Sequence, residues 1–133
     1  MRSTEIVNAF WDEVWNAHAP DAVEKFVTDD IVVEAGGQKI SGKADVKNWV
    51  TDFVDHVDEL HVDTIEAFQN DDGSRVTSRW VLTGSNNGIL GTEPNGKPIA
   101  MTGTAVWTVD DGKLTKGSVE QASFELYHWL LAK

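Results

Sequence analysis

At about Leu60 the hydrophobic period of this chain changes, and that change limits its possible folds more than any other feature. Before it, apolar residues recur at spacings of three and four; after it they alternate. Ile6, Phe10 and Val14, flanked by Trp11 and Trp15, predict an amphipathic helix over 4–15, with Ser3 or Thr4 as its cap. Ala19-Pro20-Asp21 breaks that pattern and opens a short second helix carrying Val23, Phe26 and Val27. The β-branched run Ile31 to Ala35 predicts a strand, Gly36-Gly37 a turn, and Lys39-Ile40 a short return strand. Beyond Ser41-Gly42 a third helix presents Val46, Trp49, Val50, Phe53, Val54 and Val57.

Four longer strands are predicted after the change: 61–68, 75–85, 99–109 and 114–126. Asn70-Asp71-Asp72-Gly73 and Asp110-Asp111-Gly112 are hairpin loops whose residues tolerate positive φ. Glu93-Pro94-Asn95-Gly96 belongs to a longer excursion between the second and third of these strands. Helices followed by a meander of long strands predict an α+β fold in which a curved antiparallel sheet wraps the helices. With 133 residues and no linker or repeat, one domain over 1–133 is expected. Val81 and Val106 are apolar on the parity opposite to Val76, Trp80, Ala105 and Trp107. A sheet apolar on both faces is covered on both, so the outer face is expected to form a twofold homodimer.

Composition removes whole classes of function. The absence of cysteine excludes disulfide scaffolds, thiolate metal sites and cysteine nucleophiles. No apolar run approaches the roughly 20 residues of a membrane span. The first residues lack the apolar stretch of a signal peptide, so a cytoplasmic protein is expected. A net charge of −11 argues against nucleic acid as a partner. Six tryptophans and five phenylalanines imply a bulky aromatic interior or pocket.

Several local motifs, in this order, resemble the SnoaL-like polyketide cyclases of the NTF2-like superfamily. They are Phe10-Trp11 in the opening helix, Phe26-Val27-Thr28-Asp29-Asp30 before the first strand, and Ser41-Gly42 before the third helix. Arg79-Trp80-Val81-Leu82-Thr83-Gly84-Ser85-Asn86-Asn87-Gly88 resembles the family's strand and G-x-H-x-G-type loop. Gly91 to Lys97 resembles its G-x-x-P-x-G-K loop, and Asp111-Gly112-Lys113-Leu114 its turn into the last strand. The resemblance covers nearly the whole chain and implies a cone-shaped α+β fold around a deep apolar pocket. It also implies ring closure on polyketide esters by a loop histidine and a last-strand aspartate. This chain departs at both positions: the histidine position is Asn86, and the aspartate position falls at or beside Ala122. The family's tryptophan on that strand corresponds to Ser118. The catalytic aspartate and tyrosine of ketosteroid isomerase, in the same superfamily, would fall near Ala35 and Trp11.

Within that pattern Glu120 shares a parity with Leu114, Lys116, Ser118 and Ala122 and would point into the cone as an acid or base. A bulge or slipped register would leave it at the rim instead. Asn86 is a candidate to polarise a substrate oxygen, although Ser85-Asn86-Asn87-Gly88 is also good turn composition. Trp11, Trp15, Trp49, Phe53, Trp80, Met101 and Trp107 are candidate walls for an apolar ligand, with plain core packing as the alternative. Ser118 and Ala122 would leave room beside Glu120. His56 and His61 lie in an acidic run that reads as a solvated face, and neither metal nor cofactor is expected. The function so implied is a cofactor-independent cyclase or isomerase of secondary metabolism acting on a polyketide- or terpenoid-like molecule. A non-catalytic binder of an apolar ligand and an epoxide hydrolase are the alternatives.

Overall fold

The structure is a computed structural model that describes residues 2–132. Its helices are α1 (Ser3–Phe10), α2 (Lys43–His56) and α3 (Ser123–Leu131). Its strands are β1 (Val27–Ala35), β2 (Gln38–Ser41), β3 (Val57–Gln69), β4 (Arg75–Asn86), β5 (Pro98–Asp110) and β6 (Lys113–Gln121). They form one six-stranded sheet in the order β2-β1-β6-β5-β4-β3. All neighbours are antiparallel except β1 and β6, which run parallel, so the sheet is mixed rather than wholly antiparallel. The cause is topological. The chain leaves the β1–β2 hairpin through α2, builds the meander from β3 onward, and closes it against the free side of β1.

The opening helix continues beyond α1 as a π-helical turn over Trp11–Asn16. Phe10, Trp11, Val14 and Trp15 are all buried there, so the segment turns a wide apolar stripe into the sheet. Ser3 and Thr4 do not cap α1 but tie it down. The Ser3 hydroxyl donates to the Gly73 carbonyl at 2.6 Å, and the Thr4 N–H to Gln69 Oε1 at 3.1 Å. The second predicted helix is a 3-10 turn over Pro20–Lys25.

Two cross-strand pairs shape the concave face. Trp80 on β4 stands opposite Gly103 on β5, and Trp107 on β5 opposite Gly117 on β6. In each pair the indole lies over the glycine: a Cβ on Gly103 would sit 2.3 Å from the Trp80 ring, and one on Gly117 2.4 Å from Trp107. Both tryptophans are buried because the neighbouring strand leaves that space.

Two expectations for the last strand are corrected. It ends at Gln121 instead of Leu126, and Ser123 to Leu131 is helical. The Ala122 N–H still donates to the Thr102 carbonyl, after which α3 runs beside the first half of β5 where β6 would have continued. Leu126 and Leu130, one turn apart, are buried, and this i, i+4 pair was the sequence signal for a helix. The second correction concerns parity. Val109 pairs with Leu114 and Thr108 with Lys116, leaving Thr115 as an extra residue. That bulge exchanges the faces of the strand. Leu114, Gly117 and Val119 are buried, while Lys116, Ser118 and Glu120 are exposed. On the sheet's outer face Val81 and Val106 are half-buried among threonines.

Candidate functional site

The concave face holds a continuous cluster of aromatic rings. Trp107 at one end packs against Phe10 at 5.3 Å between centroids and Trp11 at 6.2 Å. Trp11 meets Trp80 at 5.5 Å and Trp15 at 5.9 Å. Trp15 then meets Trp49 at 5.2 Å and Phe53 at 5.7 Å, mostly in edge-to-face arrangements. The expected deep pocket is therefore largely filled by its own walls. What remains is a cavity of about 10 Å³ bounded by Trp11, Trp15, Trp49, Phe53 and Trp80, with Val62, Leu82 and Gln121 completing it. That is on the order of the space one oxygen-sized atom occupies.

The polar groups around this cavity are few and unevenly satisfied. The Trp11 indole donates to the Ser78 hydroxyl at 3.1 Å, inside the core. The indole nitrogens of Trp15 and Trp80 are buried and have no hydrogen-bond partner, as is that of Trp107 deeper in the cluster. None of the eight residues lining the cavity is titratable. Outside it lies a groove of about 350 Å³ that shares Trp80 and Gln121 with the cavity. Its rim includes Ile65, Arg79, Gly103, Glu120 and Glu125. Trp80 and Gln121 thus border both spaces.

Seen against this geometry, the predicted site residues separate. Trp11, Trp15, Trp49, Phe53 and Trp80 come together around the cavity. Met101 and Trp107 are buried in the core away from it. Glu120 does not point into the cone: the Thr115 bulge places it on the outer side, exposed, at the rim of the groove. Ser118 is turned outward by the same bulge and is exposed. Ala122 borders the outer groove at the start of α3.

Asn86 is buried, but its amide is consumed within its own loop. Its Nδ2 donates to Thr92 Oγ1 at 3.0 Å, the Glu93 carbonyl at 2.8 Å and Asn95 Oδ1 at 3.0 Å. Its Oδ1 accepts from the Gly88 and Ile89 N–H groups, each at 3.0 Å. With these bonds made, Asn86 holds the 87–97 loop and has no donor left for a substrate oxygen, so the turn reading describes it.

Gln121, Val62 and Leu82 are the lining residues that the sequence reading missed. The signal for Gln121 was present: apolar parity on β6 changes between Leu114 and Val119, which marks a bulge and turns Gln121 inward. His56 pairs with Asp52 at 3.2 Å and His61 with Asp63 at 3.0 Å, both exposed. Among the described residues no three or more His, Cys, Asp or Glu side chains converge as a metal site. Among them, too, no helix is long and apolar enough to cross a membrane.

The SnoaL-like domain profile matches residues 7–117. The chain belongs to the SnoaL-like family. Solved structures agree on the fold. A protein from Jannaschia sp. CCS1, provisionally named a SnoaL-like polyketide cyclase, is 19% identical at a TM-score of 0.89, over 98% of this chain and 92% of that one. The epoxide hydrolase/cyclase-like enzyme SalBIII, of pyran ring formation in salinomycin, is 24% identical at 0.77, over 92% of each chain. A limonene-hydrolase-type (LEH-like) epoxide hydrolase from M. tuberculosis is 18% identical at 0.74, over 97% of this chain and 89% of that one. These likenesses establish the NTF2-like fold, also described as ketosteroid isomerase-like. No curated protein matches the chain.

Proposed function

We propose that this SnoaL-like protein is a cofactor-independent cyclase or isomerase that takes an apolar, polyketide- or terpenoid-like molecule against the aromatic cluster of its cone. The observation that supports this most is the lining of the inner cavity: five aromatic residues, two aliphatic ones and a single amide. Such a wall selects apolar rings and excludes water. It offers orientation as its main catalytic means, which lowers a barrier by as much as about 7–11 kcal/mol in ideal intramolecular cases. The Gln121 amide, the one polar side chain on this wall, is a neutral donor able to stabilise charge developing on oxygen. The reaction class is one in which the substrate, once held in its reactive conformer, needs little proton transfer from the protein. The reading includes a homodimer through the outer face of the sheet, where Val81 and Val106 lie.

A second reading, a non-catalytic binder for the same kind of molecule, is favoured by one specific feature: no titratable side chain lines the cavity. Epoxide hydrolysis ranks behind both, because carboxylates that activate water would have to reach the reacting carbon and Glu120 faces outward.

A panel of poly-β-keto esters and epoxy-polyenes, followed by mass spectrometry and tryptophan fluorescence, separates the three. A ring-closed product of unchanged mass, or one that has lost only water, supports the cyclase. A product heavier by one water supports the hydrolase. Quenching without product supports the binder. For a cyclase of this kind, kcat is flat between about pH 6 and 9, since the cavity supplies no ionising group. A bell-shaped profile carried by the protein contradicts the proposal.

A further inference from the structure

A ring system cannot enter the inner cavity until a wall moves, and the aromatic walls are not equally free. Trp11, Trp15 and Trp80 are each 3% exposed and Phe53 6%, whereas Trp49 is only half-buried. Trp11 is held by its bond to Ser78, and Trp80 lies over Gly103 within the sheet. Trp49 is carried on α2 and meets Trp15 and Phe53 edge to face, at 5.2 and 6.3 Å. It also lines a groove of about 330 Å³ between α2 and the edge strand β2, and it is the one residue common to that groove and the cavity. The groove has room for a displaced indole.

The chemistry of this groove differs from that of the cavity. Asp45, Asn48, Trp49 and Asp52 recur at i, i+3, i+4 and i+7, so they share one face of α2. Gln38, Lys39 and Ile40 of β2 complete the lining. Asp52 pairs with His56 at 3.2 Å, the one ion pair made by this lining among the described residues. Carboxylates only accept, while the two amides both donate and accept, so the lining suits a group that does the same.

We propose that the groove between α2 and β2 is the entrance to the cone, with Trp49 as its door, and that it holds the hydroxyl-bearing end of a substrate whose apolar end passes Trp49 into the aromatic cluster. This rests on the function proposed above and narrows its substrate to amphipathic molecules, a glycoside or polyol of an apolar ring system. Hydroxyl groups donate to Asp45 and Asp52, accept from Gln38, Asn48 and Lys39, and bring no charge to the site. A phosphate or carboxylate end fits less well, because two carboxylates stand here against one ammonium in a chain of net charge −11. An ammonium end would suit the carboxylates but would lie beside the Lys39 charge and leave the amide donors unused. The groove at Ile65 and Arg79 is the poorer entrance: it shares only Trp80 and Gln121 with the cavity, both on the sheet, and Trp80 is held over Gly103.

The test compares four naphthalenes on the full chain: 2-naphthyl β-D-glucoside, 2-methoxynaphthalene, 2-naphthyl phosphate and 2-naphthylmethylammonium. Calorimetry gives their affinities, and stopped-flow naphthalene fluorescence their association rates. The glucoside should bind about tenfold or more tighter than the methyl ether, and the phosphate more weakly than the ether. Asp45→Ala and Asn48→Ala, both on the exposed face of α2, should lower glucoside affinity severalfold more than ether affinity. Trp49→Ala should raise the association rate of the ether severalfold, because it removes the door. Equal affinity for glucoside and ether overturns the entrance site while leaving the apolar cone as the binding site. Tightest binding of the phosphate or of the ammonium compound overturns the hydroxyl-bearing end. An association rate unchanged in Trp49→Ala overturns the door. Binding of none of the four overturns the entrance and the functional reading together. If Trp49→Ala fails to fold, the four affinities and the Asp45 and Asn48 variants decide alone.

Discussion

Three residues show how local chemistry decides what this cone can hold. Gly103 and Gly117 are where they are because Trp80 and Trp107 lie across them, with the nearest ring atoms 2.3 and 2.4 Å from any added Cβ. Replacing either glycine by alanine should destabilise the protein by about 1–3 kcal/mol through displacement of a buried ring. Urea denaturation read by tryptophan fluorescence measures this. Gly103→Ala should in addition alter ligand affinity, because Trp80 is part of the cavity wall and Trp107 is not. Asn86 is the third. Its amide binds Thr92, Glu93 and Asn95 on one side and the Gly88 and Ile89 N–H groups on the other. Asn86→Ala leaves the buried Ile89 N–H and the half-buried Gly88 N–H unpaired and should cost about 2–4 kcal/mol, with the loss read as a lower urea midpoint. Asn86→Asp keeps only the acceptor half and should fall between the two. A variant that retained full stability but lost turnover would restore the catalytic role anticipated for this residue.

At the level of elements, β6 carries the decisive feature. Thr115 is the extra residue between Val109–Leu114 and Thr108–Lys116 pairing, and it alone sends Glu120 outward and Gln121 inward. Deleting Thr115 restores simple alternation without changing any native face, so that variant should fold. Deleting Ser118 instead forces Val119 or Glu120 onto the wrong side and should abolish soluble expression; thermal unfolding and yield distinguish the two. This element also shows how far the sequence could be read. The change of period near Leu60, the two hairpin turns and the order of motifs were sufficient for the cone, because each depends on local pattern. The aromatic wall was legible for the same reason: Trp11 and Trp15 sit on one helix face, and Trp80 takes the inward parity of its strand. The bulge was legible only in the parity change from Leu114 to Val119, and the resemblance to the family's last strand pulled the reading the other way. Helix α3 was missed because Phe124, Leu126, Tyr127 and Trp129 are apolar on both parities and satisfy either a strand or a helix. What selects the helix is tertiary. Asn95 donates to the Leu130 carbonyl at 3.1 Å, Trp129 Nε1 to the Pro98 carbonyl at 2.8 Å, and Lys97 to the carbonyls of Trp129 and Ala132.

For the molecule as a whole, two properties of the fold govern behaviour in solution. The first is the outer face of the sheet, where Val81 and Val106 lie half-buried among threonines while the opposite face is filled by helices and tryptophans. The homodimer proposed through this face predicts sedimentation at about twice the 14.7 kDa chain mass. The double substitution Val81→Glu with Val106→Glu should return the protein to a monomer, and a wild type that sediments as a monomer at tens of micromolar would remove the dimer from the account. The second is the filled interior. A cavity of about 10 Å³ cannot admit a ring system unless its walls move, so ligand binding must disturb the aromatic cluster. The most direct measurement is a proton–nitrogen correlation spectrum of the indole N–H groups, six in all, during titration with 1-tetralone. The account predicts that the Trp15 and Trp80 signals, on the cavity wall, shift together, while that of exposed Trp129 on α3 stays in place. Movement of the Trp129 signal alone, with Trp15 and Trp80 unchanged, would place the ligand on the protein's surface and contradict the cone as its binding site.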